Sequence, residues 1–504
     1  MAKNLKKTAS PVAHEAVASK SMFEKLFGMP ASAVNWGREI LAGLTGLLGT
    51  AFILFAWSKT LGTQFEPNSG GFTHVLMIGT LLAMIVSNLA QSFWAKLPYI
   101  VTPSIGTLML MIPLLGIATN FNVLMALFLL EGIIFLTMSF LPYTKKIITA
   151  IPQPVKHGIV LTVGLMLIFM GLSFTCLFSG PSAVGNLTTA KFESIARLNG
   201  LPGLSVKWLL DARTLVMIFG LAVVGYFTWT KNKATFVITM IMTAAFGLLF
   251  FSNQQQGLEY SRVTPIIFVD YANSGNFMVP FSSWASTYLL KPNFADLFGK
   301  IGSSFGIILS TFLVMLAKDT LGTASSMIAL GKQSGDMTEN DENHHRTEKA
   351  MQVVGFNRIV TGLVGGVPAD IAPEASIAVE ADGRTSVTPF IYAIGCVVLL
   401  FGFNFFAMIP AIAVAPILVV IGAGMLRGIG KIHWRDPLEA IPTAVMMFVA
   451  AITFNLFVAV ALGMAINMII RVVIWKFDDT PGGFWLLGSL SLASLIFFFA
   501  SVLG

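Results

Sequence analysis

Five ionisable residues stand inside or at the edge of apolar runs: Glu131, Lys318, Asp319, Asp370 and Glu374. A charge in hydrocarbon is costly, so such residues face one another or a wet cavity, and they mark ligand or ion paths. Asp319 closes a long apolar run, and Glu374 follows Pro373 directly. If both face one gap, two carboxylates flank a single cavity. That arrangement suits hydrogen bonding to a small polar heterocycle, and it offers a proton site where one carboxylate is desolvated beside the other. Asp319 and Glu374 are thus the residues expected to bind substrate and carry the coupling proton. Plainer readings stay open: an interfacial helix end for Asp319, and a first-turn acid favoured by the helix dipole for Glu374. Glu131 has no matched partner and is as readily structural as functional. Lys318 pairs with Asp319 or Asp370, binds an anion directly, or snorkels to the surface. Consecutive helical positions lie about 100° apart. Lys318 and Asp319 therefore point in different directions, and Asp370 is the partner that would neutralise Lys318. His157 and His433 flank inner loop ends and read as interface residues.

Positioning these groups needs a break in the surrounding helices. Pro98-Tyr-Ile-Val-Thr-Pro103 and Pro368-Ala-Asp-Ile-Ala-Pro373 share one proline spacing. Proline lacks the backbone N–H that a helix interior needs, so the residues between each pair should be extended. A short helix then starts near Pro103 or Pro373, since proline suits a first turn. Extended backbone within a membrane is tolerated only when buried in protein or lining a cavity. A second match precedes the first in each half: Ser58-Lys-Thr-Leu-Gly-Thr63 and Lys318-Asp-Thr-Leu-Gly-Thr323. The two matches run in the same order, and the polar stretch 332–349 accounts for the extra length of the second copy. Seven spans in the first copy would make the second enter inverted, a pattern found in secondary transporters that bind solute at broken helices. Thr102, Ser104, Thr320 and Ala372 flank the breaks and complete the candidate substrate site.

Composition sets the solvent. The chain is 55% hydrophobic and 11% charged, with a mean hydropathy of +0.80; soluble domains carry roughly twice that charge. Apolar runs of spanning length occupy 40–57, 75–93, 123–141, 158–178, 214–230, 235–251, 301–317, 351–364, 389–408, 412–426, 440–453, 456–474 and 484–503, with 98–117 and 368–379 broken by proline. That makes about fifteen segments, the last additional to a set of about fourteen. With the N-terminus inside, most of the 31 basic residues, Arg358 among them, fall in inner loops, as the positive-inside rule requires. This placement explains the net charge of +7 without nucleic acid. Cys176 and Cys396 lie far apart in apolar runs, so no disulfide framework or Cys-based metal site is expected. No HExxH, GxSxG, P-loop or GxGxxG stands in a suitable context, so neither an enzyme nor a cofactor is expected. The N-terminal residues lack a signal-peptide core and are expected to stay in the cytoplasm.

At these residues the chain resembles the nucleobase/ascorbate transporter superfamily (the xanthine/uracil permease family), most of all its adenine/guanine/hypoxanthine permease branch. The resemblance runs from about Arg38 to Arg471. It is carried by Arg38-Glu-Ile-Leu-Ala-Gly-Leu-Thr45, Ala150-Ile-Pro-Gln-Pro-Val-Lys-His157, Asp436-Pro-Leu-Glu-Ala-Ile-Pro442, Asp319-Thr-Leu-Gly-Thr323, and Glu374 with Gly383-Arg-Thr385. It implies an all-α polytopic membrane protein of fourteen spans, a 7+7 inverted repeat with two short extended segments, here with an extra C-terminal span. It implies a core domain at 38–142 and 297–411 and a gate domain at 143–251 and 412–476, between the cytoplasmic tail 1–37 and the added helix 482–504. Asp319 and Glu374 look like the family's two substrate carboxylates. The implied activity is proton-coupled uptake of a nucleobase by elevator-like motion in the cell membrane, with the gate forming a homodimer. The chain departs from the family at the site itself: Lys318 replaces an aromatic or apolar residue, and Gly366-Val-Pro-Ala-Asp-Ile-Ala-Pro-Glu374 and Thr102-Pro-Ser-Ile-Gly-Thr-Leu108 replace its usual turns. The solute is accordingly expected to be nucleobase-like and more acidic than adenine, as xanthine and urate are. The alternative is an organic or inorganic anion on the same fold, held by Lys318 and two helix N-termini.

Overall fold

A computed structural model describes residues 21–30, 34–65, 71–104, 120–141, 151–173, 212–230, 234–251, 281–299, 301–337, 346–406, 411–453 and 455–475, with short pieces elsewhere. The chain is helical: α1 (Met22–Phe27), α2 (Trp36–Phe65), α3 (Gly71–Ala90), α4 (Phe121–Ser139), α5 (Gln153–Ser173), α6 (Ala212–Trp229), α7 (Thr235–Phe251), α8 (Phe281–Thr287) and α9 (Phe294–Gly299). There follow α10 (Ile301–Ser334), α11 (Thr347–Val364), α12 (Ser376–Glu380), α13 (Val387–Phe406), α14 (Ala415–Met425), α15 (Pro437–Thr453) and α16 (Leu456–Val473). Among the described residues, four two-residue strands form two antiparallel pairs: β1 (Thr102–Pro103) with β4 (Ala369–Asp370), and β2 (Phe178–Ser179) with β3 (Gly203–Leu204).

Among the described residues, four helical stretches are long and apolar enough to cross a membrane: Leu76–Ala95, Phe121–Ser139, Val155–Leu172 and Leu456–Val473. Shorter apolar helices are Thr214–Trp229, Thr235–Gly247, Val387–Phe401 and Pro437–Thr453. The expected fourteen spans go beyond this set. One reason is chemical: α10 carries Lys318, Asp319 and Lys332, and α11 carries Glu348, Lys349 and Arg358, so the charges that build a site lower the hydropathy of the helices holding it. The other is that 108–119, 142–150, 180–202, 252–280 and most of the added span at 482–504 lie outside the described residues.

The helices pack in two groups. In one, α4 lies along α11, α3 along α11 and α13, and α2 along α13. In the other, α5 contacts α14, α15 and α16, α15 contacts α16, and α6 contacts α7 and α14. Helix α10 touches both groups. The α4–α11 contact is close because Gly132 sits in it: a Cβ there would lie 2.6 Å from the Ile359 backbone nitrogen and 2.7 Å from Arg358 Cβ. Small residues let helix backbones approach in this way where lipid supplies no hydrophobic drive between helices.

The two breaks meet. Helix α3 runs into a π-helical turn, Gln91–Ala95, and Lys96 turns the chain with φ of 54°. Helix α11 stops at Gly365, whose φ of 72° closes its last turn. Both chains then run extended past Pro98 and Pro368 into β1 and β4, which pair with Thr102 opposite Asp370 and Pro103 opposite Ala369. Such short strands cannot satisfy their own backbone, so side chains complete it. Asn88 donates to the Val101 carbonyl at 2.8 Å and accepts from the Val101 N–H at 2.9 Å. Asn357 accepts from the Ala369 N–H at 2.8 Å, and Thr80 from the Val367 N–H at 3.0 Å. Pro373 then opens a 3₁₀ turn, Pro373–Ala375, which leads into α12.

Candidate functional site

The strand crossing delivers Asp370 to the end of a buried chain of charges. Lys318, on α10, donates from Nζ to Asp370 Oδ2 and, at 3.1 Å, to Asp319 Oδ1. The backbone directions of residues 318 and 319 diverge, but the four-carbon stem lets the ammonium curl back between the two carboxylates. Thr107 donates to Asp370 Oδ2 at 2.9 Å. Arg358, from α11, closes a fork on Asp319: Nε donates to Oδ2 at 2.8 Å and Nη2 to Oδ1 at 2.7 Å. Its Nη2 lies 3.5 Å from Asp370 Oδ2, and its Nη1 donates to the Ala369 carbonyl at 3.4 Å. One guanidinium thus holds both the Asp319 carboxylate and the strand that carries Asp370. Glu131, on α4, approaches Arg358 Nε at 3.8 Å. Glu131, Asp319 and Arg358 are completely buried. Charges this far from water persist only when paired and hydrogen-bonded, and the two-pronged Arg–carboxylate geometry is the strong form of such a pair.

A cavity opens beside this chain. Its walls include Lys318, Thr323 and Ser326 of α10, Ser104 after β1, and Asp370 to Pro373 from the second break. Met166 of α5 and Asn455, Leu456 and Phe457 at the start of α16 close the opposite side. The cavity therefore lies between the two helix groups. The Thr323 hydroxyl on its wall is buried and has no hydrogen-bond partner. The walls present a cation, a carboxylate, hydroxyls and apolar surface together, which is the makeup of a site for a small polar solute.

Of the residues nominated from sequence, Lys318, Asp370, Ser104 and Ala372 line this cavity. Asp319 turns away from it, onto Arg358. Glu374 is buried in the turn behind Pro373. Thr320 donates to the Leu316 carbonyl of its own helix, and Thr102 receives a hydrogen bond from the Tyr392 hydroxyl at 3.4 Å; neither lines the cavity. Arg358 corrects the sequence reading. Charge alternation places it in an inner loop, yet it lies within α11 and makes more hydrogen bonds than Lys318. The positive-inside rule treats every basic residue as a loop residue, and a buried arginine with a carboxylate partner escapes it. A signal was present: Gly355, Arg358 and Gly362 share one helix face at helical spacing, and that face meets α4. At the far end of the second group, His157 and His433 both reach Glu439, at 3.4 and 2.9 Å.

A model of the sulfate permease family matches residues 27–449. A permease of Methanocaldococcus jannaschii is 24% identical over 90% of this chain and 94% of its own length. The guanine/hypoxanthine permease of Bacillus subtilis is 23% identical over 85% of this chain and 89% of its own. Among solved structures, the transmembrane domain of a cyanobacterium bicarbonate transporter aligns with a TM-score of 0.48 at 16% identity, covering 85% of this chain and 97% of that one.

Proposed function

The chain belongs to the sulfate permease family, and from that membership we propose that it is a secondary active transporter moving a nucleobase-like solute across the cell membrane. That it is a multi-pass membrane transporter follows from the family; the solute, the coupling and the motion are the reading offered here. The observation that carries it is the Lys318–Asp370 pair in the wall of a cavity between two helix groups, next to the orphan hydroxyl of Thr323.

An ammonium beside a carboxylate is complementary to a ligand edge that carries a carbonyl next to an N–H. The oxopurines xanthine, hypoxanthine, guanine and urate have such edges, and the name of the Bacillus subtilis relative includes two of them. Lys318 also favours a ligand that is partly ionised, so xanthine and urate rank above adenine. The coupling proton belongs to one of the buried carboxyl groups in the charge chain beside the cavity. Elevator-like motion would carry the group containing α2, α3, α4, α11 and α13 against the group containing α5, α14, α15 and α16. The gate, made of the second group, would form the homodimer.

An inorganic or organic anion is the second reading. It is favoured by Lys318 in the cavity wall, with the first residues of α16, Leu456 and Phe457, on the opposite side, since a helix N-terminus suits an anion.

A thermal-shift screen of purified protein tests both. Xanthine, urate, guanine, hypoxanthine, adenine, uracil, sulfate and bicarbonate are compared at matched ionic strength. Stabilisation by xanthine and urate at concentrations where sulfate and bicarbonate have no effect supports the first reading. The reverse order supports the second.

A further inference from the structure

Glu131 stands within α4, with apolar residues on both sides of the Glu131-Gly132 step. Neither of its carboxyl oxygens accepts a hydrogen bond from any donor among the described residues, and the Asp319 carboxylate lies within side-chain hydrogen-bond reach of it, so only a protonated Glu131 could bond there. The nearest cationic nitrogen, Arg358 Nε at 3.8 Å, is beyond hydrogen-bond reach and already donates to Asp319. The charges acting on Glu131 are Asp319 and Lys318 from α10 and Arg358 from α11. Among the described residues α4 also packs against α9, whose Asp296 is exposed and hydrogen-bonded to Asn293 at 2.8 Å.

Three carboxyl groups, Glu131, Asp319 and Asp370, therefore share two cations, Lys318 and Arg358. With every group charged the set carries one uncompensated negative charge in a medium that does not solvate it. One proton makes the set neutral. The hydrogen bonds say where it rests. Asp319 accepts from Arg358 twice and from Lys318; Asp370 accepts from Lys318 and Thr107. Those donors need charged acceptors, and Glu131 receives none of them.

We propose that Glu131 is the proton-binding site of the transport cycle, coupled to the cavity through Arg358. The proposal rests on the transporter reading above and takes the coupling role from Asp319, whose carboxylate is held by Arg358 and Lys318. When the Glu131 carboxyl releases its proton to water, the new carboxylate competes with Asp319 for Arg358. Asp319, losing part of its fork, draws Lys318 toward itself and away from Asp370. The cavity wall then presents a different charge to the solute. Proton binding and solute binding are linked through these two cations, so neither requires the proton to enter the cavity.

Infrared difference spectroscopy of the full-length protein in detergent tests this directly, through the C=O stretch of protonated carboxylic acids. At neutral pH the parent-minus-Glu131→Gln spectrum is expected to contain one such band. Glu131→Asp, which keeps a titratable carboxyl, is expected to shift it; this variant decides the matter if Glu131→Gln does not fold. A parent-minus-variant spectrum with no band, or an unshifted band in Glu131→Asp, overturns the proposal. In proteoliposomes, gradient-driven accumulation of xanthine by Glu131→Gln should fall to the level seen without a gradient, and accumulation that follows the gradient as in the parent also overturns it. If the parent binds none of the screened solutes, the solute reading fails while the infrared result still decides whether Glu131 holds the proton.

Discussion

Arg358 on α11 holds Asp319 on α10 with two hydrogen bonds, at 2.7 and 2.8 Å, where both side chains are sealed from solvent. The carboxylate is thereby an anchor for the wall of the cavity, with Lys318 bridging from it to Asp370.

Removing Arg358 leaves Lys318 as the one cation shared by the buried carboxyl groups of Asp319, Asp370 and Glu131. Arg358→Gln is expected to destabilise the protein by about 3–5 kcal/mol, read as lost thermal stability and lost detergent-solubilised yield. The double variant Arg358→Gln/Asp319→Asn removes both charges and should recover much of that loss, because two neutral amide groups can still bond to each other. Additive losses in the double variant would mean that the two residues do not act as a pair.

Gly132 sets the distance between α4 and α11. Any side chain there meets the Ile359 backbone nitrogen at 2.6 Å, and backbone cannot step aside as a flexible side chain can. Gly132→Leu should destabilise by roughly 1–3 kcal/mol or more, as overpacking does, and should abolish transport by displacing Arg358. The check is the thermal midpoint together with uptake. A variant of parental stability and activity would show that the two helices are free to separate.

Asn357 joins the two breaks. It accepts from the Ala369 N–H at 2.8 Å and donates to Ser87 at 2.8 Å. Asn357→Ala leaves a buried N–H of β4 unsatisfied, at about 1–3 kcal/mol. Solute affinity should fall as well, since β4 carries Asp370. Amide exchange measured by mass spectrometry should rise at residues 367–371 before it rises in α13; uniform protection would contradict the clamp.

Thr323 supplies the reverse case. Its hydroxyl makes no hydrogen bond within the protein, so Thr323→Val should leave thermal stability unchanged or raise it. If the solute supplies the missing partner, affinity falls by about 1 kcal/mol, roughly fivefold. Unchanged affinity would place the solute elsewhere in the cavity.

Residue type and spacing alone carry the broken helices, because proline at 98, 103, 368 and 373 forbids continuous hydrogen bonding whatever surrounds it. They also carry the nomination of Lys318 and Asp370 as charge partners, since a lone ammonium among apolar residues demands an anion. They do not carry the orientation of Asp319. That depends on Arg358, and Arg358 meets it only because α10 and α11 fold back on each other. Hydropathy misreads the same region, since α11 begins in the polar stretch 332–349 and its arginine looks like a continuation of the loop. Glu131 shows the same limit: its significance lies in a neighbour far away in the chain, brought near by Gly132, and no local pattern announces it.

Competition binding on the parent and on Lys318→Phe tests most directly whether the Lys318–Asp370 wall receives the solute. The parent should bind xanthine and urate more tightly than adenine. Lys318→Phe should lose xanthine and urate affinity by roughly tenfold to a hundredfold, the worth of a hydrogen bond to a charged group, with a smaller change for adenine. Tight adenine binding by the parent, left unaffected by the substitution, would contradict a solute site at Lys318.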